Sequence, residues 1–456
     1  MHASKLIILF LIISFFYACS EKKEKIYRPV SVVNHPVWSI NKTIYEVNIR
    51  QYTPEGTFKA FQKHLPALKD LGVGIIWLMP IHPIGKEKRK GSLGSYYSVR
   101  DFMAINPDFG SKEEFADLVK AIHEAGMFVI IDWVANHSAW DNPLTKSNPE
   151  FYTKDKNGNF ALPDPNWTDV IDFNYDNLDM RNYMLKAMKY WVTEFDIDGY
   201  RCDMADLVPT DFWDQTRRDL DAIKQVFMLA ESETAFLHNR AFDMTYDWKM
   251  FHTLNKIAKG KSNSTQIDSV LLASERLFPK SAFRMRFTTN HDENSWNGTV
   301  AKRLGDAAKV SAVLTATLPG KPLLYSGQEA GLDRPLKFFD KDQIDWKEST
   351  FREFYSRLFN LYQNNPALHL GNMVKIDAED DKDVFAFARI ADPHKVVVVL
   401  NFSDQQKEIE LDSGLLGGSY KELFSGVNVV FENSEDFELE PWAYRVFVGE
   451  QVVAKN

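Results

Sequence analysis

The sequence is poor in cysteine and has no excess of positive charge. Among its 456 residues, only Cys19 and Cys202 are cysteines, so stability must come from a hydrophobic core and not from a disulfide framework. The formal charge of −9 at pH 7 argues against a nucleic-acid partner, which would need a basic surface. The sequence also has no glycine-rich phosphate loop and no cluster of cysteines and histidines, so it indicates no required cofactor.

Long apolar runs are scarce as well, and the one that stands out lies at the N-terminus. Residues 6–17 follow a lysine and are too few to cross a bilayer, which needs about 20 apolar residues. Residues 1–18 are therefore predicted to be a signal peptide. The sequence FYAC, which ends in Cys19, resembles a bacterial lipobox. We expect Cys19 to carry lipid, residues 19–36 to form a tether, and the protein to be exported and anchored to a bacterial outer membrane, where it could face the cell surface. A plain signal peptide, with a periplasmic or secreted product, is the alternative.

From residue 37 a strand pattern followed by a helix pattern recurs along the chain. The strand patterns are short apolar runs, as in a parallel sheet covered on both faces, and the helix patterns are amphipathic. Eight strands over residues 37–368 predict an α/β fold of the (β/α)8 TIM-barrel type, with a doubly wound sheet as the alternative. The strand patterns are TIYEVNIRQYT (43–53), VGIIWLMPI (73–81), MFVIIDWVANH (127–137), IDGYRCDMA (197–205), VFMLAESE (226–233), AFDMTYDW (241–248), AFRMRFTTNHD (282–292) and KPLLYSGQEA (321–330).

Two segments depart from this repeat. Residues 138–177, rich in Asn, Asp and Pro, form a long insertion after the third strand and are predicted to be a short inserted B domain on the face where barrel enzymes bind substrate. After residue 368 the helical pattern gives way to short strands separated by turn residues. Residues 369–456 are therefore predicted to be a C-terminal antiparallel β-sandwich domain.

Polar residues follow four of the predicted barrel strands, at the carboxyl ends where barrel active sites lie. One acidic residue in such a place is ordinarily a helix cap or solvated, but carboxylates from four strands on one rim indicate either metal binding or glycoside chemistry. These residues are Asp132, Asn136 and His137 after the third strand, Arg201, Asp203 and Asp206 after the fourth, Glu231 and Glu233 after the fifth, and Asn290, His291 and Asp292 after the seventh.

The fourth strand places Arg201 and Asp203 on the same face, because side chains alternate along a strand. An adjacent guanidinium favours the carboxylate anion, so we expect Arg201 to lower the pKa of Asp203, as a nucleophile requires. A retaining glycosidase also needs a protonated carboxyl group in a drier place. Glu231, which follows the apolar run FMLA, suits that role, but strand alternation leaves Glu233 open.

Several motifs resemble those of the α-amylase family, glycoside hydrolase family 13. Four of them occur in the family's order on the expected strands: DWVANH (132–137), GYRCD (199–203), LAE (229–231) and FTTNHD (287–292). The segment GSYYSVRDFMAINPDFGS (94–111) resembles the family's segment after strand two, and VIDFNYDN (170–177) its motif at the end of the inserted domain. The resemblance covers residues 37–368 and implies the barrel architecture with a C-terminal β domain.

The resemblance implies a role for each matching residue. Asp203 corresponds to the nucleophile, Glu231 to the general acid/base, and Asp292 to the third carboxylate, which binds and distorts the reacting sugar. The remaining matches would bind the substrate or orient the nucleophile: Tyr97, His137, Arg201 and His291.

The chain also departs from the family pattern. Asp206 and Leu207 stand where many members have lysine and histidine, which leaves the acceptor side of the site undefined. Asn136 corresponds to a frequent calcium ligand, but Leu207 replaces a usual companion, so bound calcium is a weak expectation. Trp140 and Trp296 lie just beyond catalytic strands and are either sugar platforms or packing residues.

Taken together, these features predict an exported, lipid-anchored enzyme that cleaves α-glucosidic bonds of starch-type glucans with retention, through a covalent β-glycosyl-aspartate. A glucan-transferring or isomerising relative would use the same three carboxylates. A non-catalytic glycan-binding barrel is the alternative of another class.

Overall fold

The computed structural model describes residues 31–449 except 379, 413, 415, 416 and 433. The signal-peptide and lipidation predictions, Cys19 included, lie outside the described residues. Within the described part, no helix is long and apolar enough to span a membrane. The strands are β1 Ile44–Val47, β2 Ile75–Leu78, β3 Phe128–Trp133, β4 His137–Ala139, β5 Val170–Asp172, β6 Gly199–Cys202, β7 Phe227–Ala230, β8 Met244–Tyr246, β9 Phe283–Arg286, β10 Lys321–Tyr325, β11 Asn372–Ile376, β12 Val384–Ala391, β13 His394–Asn401, β14 Lys407–Asp412, β15 Gly418–Glu422, β16 Asn428–Phe431, β17 Ser434–Leu439 and β18 Tyr444–Gly449. The α-helices are α1 Ile49–Tyr52, α2 Phe58–Gln62, α3 Leu65–Leu71, α4 Lys112–Glu124, α5 Leu144–Ser147, α6 Leu178–Phe195, α7 Thr210–Asp221, α8 Trp248–Ala258, α9 Thr265–Leu277, α10 Val300–Leu304, α11 Ala308–Thr317, α12 Thr350–Asn364 and α13 Pro366–His369.

Eight parallel strands close into a barrel in the order β1-β10-β9-β8-β7-β6-β3-β2, which confirms the predicted fold class. Alternate residues of each strand point inward and outward. On β1, Ile44 belongs to the cluster that fills the barrel, whereas Tyr45 and Val47 pack in the layer between strands and helices. The unit between β7 and β8 is shortened, since only a 3-10 helix, Ala235–Asn239, connects them.

Local sequence signals explain where the helices begin and end. α4 begins with a capping box, in which Ser111 and Glu114 each bond the other's backbone N–H, and the turn after it contains Gly126 with φ of +79°. The amphipathic segment 57–72 forms two helices, α2 and α3, because Pro66 occupies the first turn of α3 and the chain turns at His64. Proline lacks the N–H that a continuous helix would use there.

Gly199 begins β6 in a backbone conformation that other residues rarely adopt, with φ of +153°. A Cβ atom at this position would lie 1.9 Å from the carbonyl oxygen of Phe227 on the neighbouring strand. The absence of a side chain therefore lets β6 approach β7 closely, at the start of the strand that carries Arg201.

Long loops extend from the carboxyl-terminal face of the barrel. The segment between β3 and α6 contains β4 and β5, which pair antiparallel, and α5. A second long loop, residues 79–111, connects β2 to α4, and a third connects β10 to α12. These loops surround the rim on which the strand-end residues lie.

Residues after α13 form two antiparallel sheets. Six strands lie in the order β11-β12-β13-β18-β15-β16, and β14 pairs with β17. The two sheets share a hydrophobic core that is separate from the core of the barrel. Val397 from the larger sheet and Leu411 and Leu439 from the smaller one belong to it. Arg389 of β12 donates to the carbonyl oxygens of Thr317, Leu368 and Gly371, which connects this domain to the barrel.

The first described residues lie against the amino-terminal face of the barrel. Val32 donates its backbone N–H to the carbonyl oxygen of Asn239, and His35 contacts the carboxylate of Asp243 and the carbonyl oxygen of Ser281 at 2.7 Å each. These partners all precede β8 or β9. The chain therefore enters the barrel on the face opposite to the long loops.

Candidate active site

Strand register brings Asp203 and Glu231 next to each other. Arg201 pairs with Leu229, and Cys202 with Ala230, on the parallel strands β6 and β7. The next residue on each strand is an acid, and neighbouring strands lie only about 4.8 Å apart. The backbone N–H of Glu231 still bonds the carbonyl oxygen of Cys202, at 3.0 Å. Both carboxylates line a cavity of 380 Å³ at the carboxyl ends of the strands.

Arg201 is fully buried beneath these two acids. Its Nη1 donates to Asp203 at 3.0 Å and to Asp132 at 2.9 Å, and its Nη2 lies 2.9 Å from Glu231. Asp132 is held in turn by the indole N–H of Trp77, at 3.1 Å. One guanidinium thus orients three carboxylates, and because it balances only one negative charge, the group favours holding a proton.

The pKa values of Asp203 and Asp132 follow from burial and from this imbalance of charge. Burial raises the pKa of Asp203 well above its usual range, and the carboxylate of Glu231 raises it further; Arg201 acts in the opposite direction but does not outweigh them. Burial likewise raises the pKa of Asp132 to about 6. Arg201 does lower the pKa of Asp203, as expected, but the net pKa is raised because burial and the neighbouring acids outweigh the guanidinium.

Asp292 and His291 lie on the other side of the cavity. His291 contacts Asp292 at 3.2 Å and the hydroxyl of Tyr97 at 2.8 Å through Nε2, and Glu46 through Nδ1. Burial alone would lower the pKa of His291, but the carboxylates of Asp292 and Glu46 raise it well above its usual range. The adjacent imidazolium outweighs the effect of burial on Asp292 and lowers the pKa of that carboxyl group.

His137 is the second histidine at the cavity, and its pKa shifts in the direction opposite to that of His291. Burial lowers its pKa to about 4, so the ring is neutral at ordinary pH. Its ring centre lies 5.7 Å from that of Trp167 in the insertion. A neutral imidazole in this position can donate or accept a hydrogen bond to a sugar hydroxyl without adding charge.

The structure brings most of the sequence-predicted residues together. Arg201 lies directly below the cavity, and His291 beside it; the residues that line it are Tyr97, His137, Asp203, Glu231 and Asp292. Trp296 also lines it and is 57% exposed. Trp140 does not; its indole N–H bonds the carbonyl oxygen of Thr168 at 3.1 Å, and Lys88 covers its ring.

Glu233 and Asp206 lie outside the cavity lining. Glu233 pairs with Arg284 at 3.1 Å and accepts a hydrogen bond from the backbone N–H of Lys249. It therefore stabilises the part of the barrel between β7 and β9. Of the two glutamates that strand alternation left open, Glu231 is the one at the cavity.

Several residues that line the cavity were not predicted from the sequence. Lys90, Trp167, Asp169, Phe338 and Phe339 line it but belong to loops, where no periodicity indicates which way a side chain points. Glu46 was missed although its strand was predicted. Alternation could have placed it inside the barrel with Ile44, where a buried carboxylate needs a partner.

Asn136 shows little of a calcium site. Its side-chain amide contacts Nδ1 of His137 at 3.4 Å, and among the described residues no group of three or more His, Cys, Asp or Glu side chains is placed to hold a metal. Leu207, which replaces a family histidine, is apolar and 47% exposed. The described residues around Asn136 therefore do not form an acidic ligand set for calcium.

Comparisons with known protein families give two matches. The model described as "Alpha amylase, catalytic domain" matches residues 39–169 and 164–367. The model described as "Maltogenic Amylase, C-terminal domain" matches residues 374–446.

Known proteins of similar sequence and structure carry related names. The chain is 29% identical over 412 residues to α-amylase MalA of Haloarcula japonica, covering 85% of this chain but only 60% of that relative. It is 26% identical over 456 residues to α-amylase 2 of Dictyoglomus thermophilum, covering 89% and 77%. The crystal structure of a noncanonic maltogenic α-amylase, AmyB from Thermotoga neapolitana, superimposes with a TM-score of 0.83 at 33% identity, covering 91% of this chain and 100% of that one.

Proposed function

Because the chain belongs to the α-amylase family of glycoside hydrolases, we propose that it hydrolyses α-glucosidic bonds of starch-type glucans with retention of configuration. One observation carries the proposal: Asp203 and Glu231 lie on neighbouring strands and contact the two terminal nitrogens of one buried guanidinium, at the edge of an open cavity. A retaining glycosidase needs two carboxyl groups about 5–5.5 Å apart.

In the first step, a carboxylate oxygen of Asp203 attacks the anomeric carbon of the bound sugar. The bond from that carbon to the glycosidic oxygen breaks, and its electron pair goes to the oxygen, which takes a proton from Glu231. The product is a β-glycosyl ester on Asp203 and a free aglycone. The raised pKa of Asp203 favours a protonated carboxyl group at the site, and the reaction requires that proton on Glu231 when the sugar is bound.

In the second step, the carboxylate of Glu231 takes a proton from water. The water oxygen attacks the anomeric carbon, and Asp203 leaves with the electron pair of the ester bond. Asp292, His291 and His137 are proposed to bind the hydroxyls of the reacting sugar and to strengthen those bonds in the transition state. Tyr97 presents its ring beside that of His291, 5.6 Å between centres, as a surface for the same sugar.

Transfer to an acceptor sugar is a second candidate outcome of the same intermediate. Met204 lines the cavity next to Glu231, and Leu207 is exposed one turn further on. An acceptor sugar that binds beside Glu231 could pack against Met204. Products longer than the supplied maltooligosaccharide would reveal this activity.

The test of the hydrolase proposal is the pair Asp203→Asn and Asp206→Asn. We expect Asp203→Asn to lower turnover of maltooligosaccharides by about 10⁴-fold or more while binding of the sugar persists. Asp206→Asn, an equal change on an exposed residue outside the cavity, should retain activity. NMR of the first products should show the α anomer. Wild-type turnover in Asp203→Asn would refute the nucleophile assignment, and sugar binding without turnover in the wild type would favour a glycan-binding protein.

We propose that the protein is an exported lipoprotein, and residues 1–19 alone support this proposal. The lipobox-like FYAC sequence supports lipid on Cys19. Cys19→Ala should abolish labelling by a fatty acid and move the protein from the membrane to the soluble fraction. Labelling that survives this substitution would contradict the anchor.

A further inference from the structure

The half of the cavity rim opposite Glu231 is closed by three loops that bond to one another. In the barrel order, β1 lies across from β7, the strand that carries Glu231. The loops that follow β10 and β2, the two neighbours of β1, meet on that side through residues 338–340 and 90–93, and the insertion after β3 joins them through residues 166–169. We call these residues the glycone wall.

Contacts along the glycone wall are continuous. Leu93 donates its backbone N–H to the carbonyl oxygen of Phe339 at 3.0 Å, and Ser92 donates its own to Asp340 at 2.9 Å. Lys90 then reaches the insertion: its Nζ lies 2.8 Å from the carbonyl oxygen of Asn166 and 3.0 Å from the carboxylate of Asp169.

Aromatic rings fill the space inside this wall. Phe338 packs against Trp296 with ring centres 5.2 Å apart and against Phe339 at 5.1 Å. Lys90 lies 6.0 Å from the centre of the Phe339 ring. Because Lys90 and both phenylalanines line the cavity, a sugar chain that extends past the reacting ring on this side meets these side chains.

The chemistry decides which end of a glucan points at the wall. Glu231 must reach the glycosidic oxygen, so the leaving part of the chain lies on its side of Asp203. The glycone, with the non-reducing end of the chain, therefore extends toward the opposite rim. A cavity of 380 Å³ is near the lower limit of small-molecule sites, about 300–1,000 Å³.

We propose that the glycone wall, tied by the Lys90–Asp169 ion pair, limits the number of glucosyl residues that bind on the non-reducing side. Cleavage then takes place near the non-reducing end and releases fragments of about one or two glucosyl residues, as suits a cavity of this size. This inference rests on the proposed hydrolysis and deepens it, since it assigns the end of the chain and the product length.

The experiment follows maltoheptaose labelled at its reducing end. The wild type should release short unlabelled sugars first and leave a labelled chain shortened by a constant step. Lys90→Ala and Phe339→Ala open the wall from two different loops, and each should raise the share of longer unlabelled products several-fold. Lys88→Ala is the matched control, because Lys88 is in the same loop but covers Trp140 outside the cavity.

The outcomes separate the two proposals. Absence of any hydrolysis by the wild type would refute the proposed function. Hydrolysis by the wild type at random internal bonds would overturn the wall while leaving the function intact. Short wild-type products that stay short in both Lys90→Ala and Phe339→Ala would also overturn it. Thermal unfolding of each variant checks that a changed pattern does not come from a damaged fold.

Discussion

Arg201 illustrates how one residue organises the chemistry of this protein. Buried in the barrel, it contacts Asp132, Asp203 and Glu231, and it cannot neutralise all three. The unbalanced negative charge opposes folding, but it also favours a protonated carboxyl group at the site. This arrangement therefore serves catalysis at a cost in the stability of the fold.

Asp203→Asn should therefore stabilise the fold at neutral pH. Burial and Glu231 raise the pKa of Asp203 above its ordinary 3.8, so the contribution of this carboxyl to stability is complete below about pH 3.8 and is lost as the pH rises through its folded pKa. Asparagine carries no charge to lose. We expect the variant to melt about 2 °C higher than wild type at pH 7 and no higher at pH 3.5.

Thermal unfolding at the two pH values measures this, with Asp206→Asn as the exposed control. A lower melting temperature for Asp203→Asn at pH 7 would contradict it.

Among the secondary-structure elements, the position of β6, which carries Arg201, depends on its close approach to β7. Gly199 allows β6 to lie against the backbone of Phe227 on β7, and the register that follows sets Asp203 beside Glu231. A shift of β6 would move the nucleophile away from the acid. Packing at the start of the strand thus controls geometry at its end.

Gly199→Ala should consequently disrupt both stability and activity. Its Cβ would meet the Phe227 carbonyl oxygen at 1.9 Å, whereas a Cβ at Gly126, which also has positive φ, meets nothing within 4 Å. We expect Gly126→Ala to cost about 1 kcal/mol and to retain activity. Gly199→Ala should cost several times more and lower turnover in whatever fraction folds, as urea unfolding and kinetics can show. Equal effects of the two substitutions would contradict this reading.

At the scale of the molecule, buried histidines make the barrel sensitive to acid. Burial lowers the pKa of His82 to about 4, of His137 to about 4 and of His238 to about 3. The unfolded chain takes up protons on these rings near pH 6.5, whereas the folded chain does not until lower pH. Their contribution to stability is therefore lost as the pH falls from about 6.5 to about 4.

Replacing His82 should make the stability of the protein less dependent on pH. His82 lies among the rings of Phe102, Trp133 and Trp191, so His82→Gln will lower stability at pH 7. Between pH 6.5 and pH 4, however, its free energy of unfolding should decrease less than that of wild type, by up to about 3 kcal/mol. Urea unfolding across this range measures the slope. Parallel pH profiles would contradict the prediction.

The sequence predicted the regular parts of this molecule well and its loops poorly. Strand alternation placed Arg201 and Asp203 on one face, and the barrel order made their meeting with Glu231 foreseeable. Lys90 and Phe339 could not be placed, because loops have no period and their contacts depend on distant segments. The rise in the pKa of Asp203 could not be predicted either, because it depends on the burial of this carboxyl group and on the positions of the neighbouring acids.

The entry of the chain at the amino-terminal face has a consequence for orientation. If lipid holds Cys19 in a bilayer, the chain joins the barrel near His35, on the face opposite to the catalytic mouth. The point of attachment would then leave the long loops around the cavity free to receive a glucan.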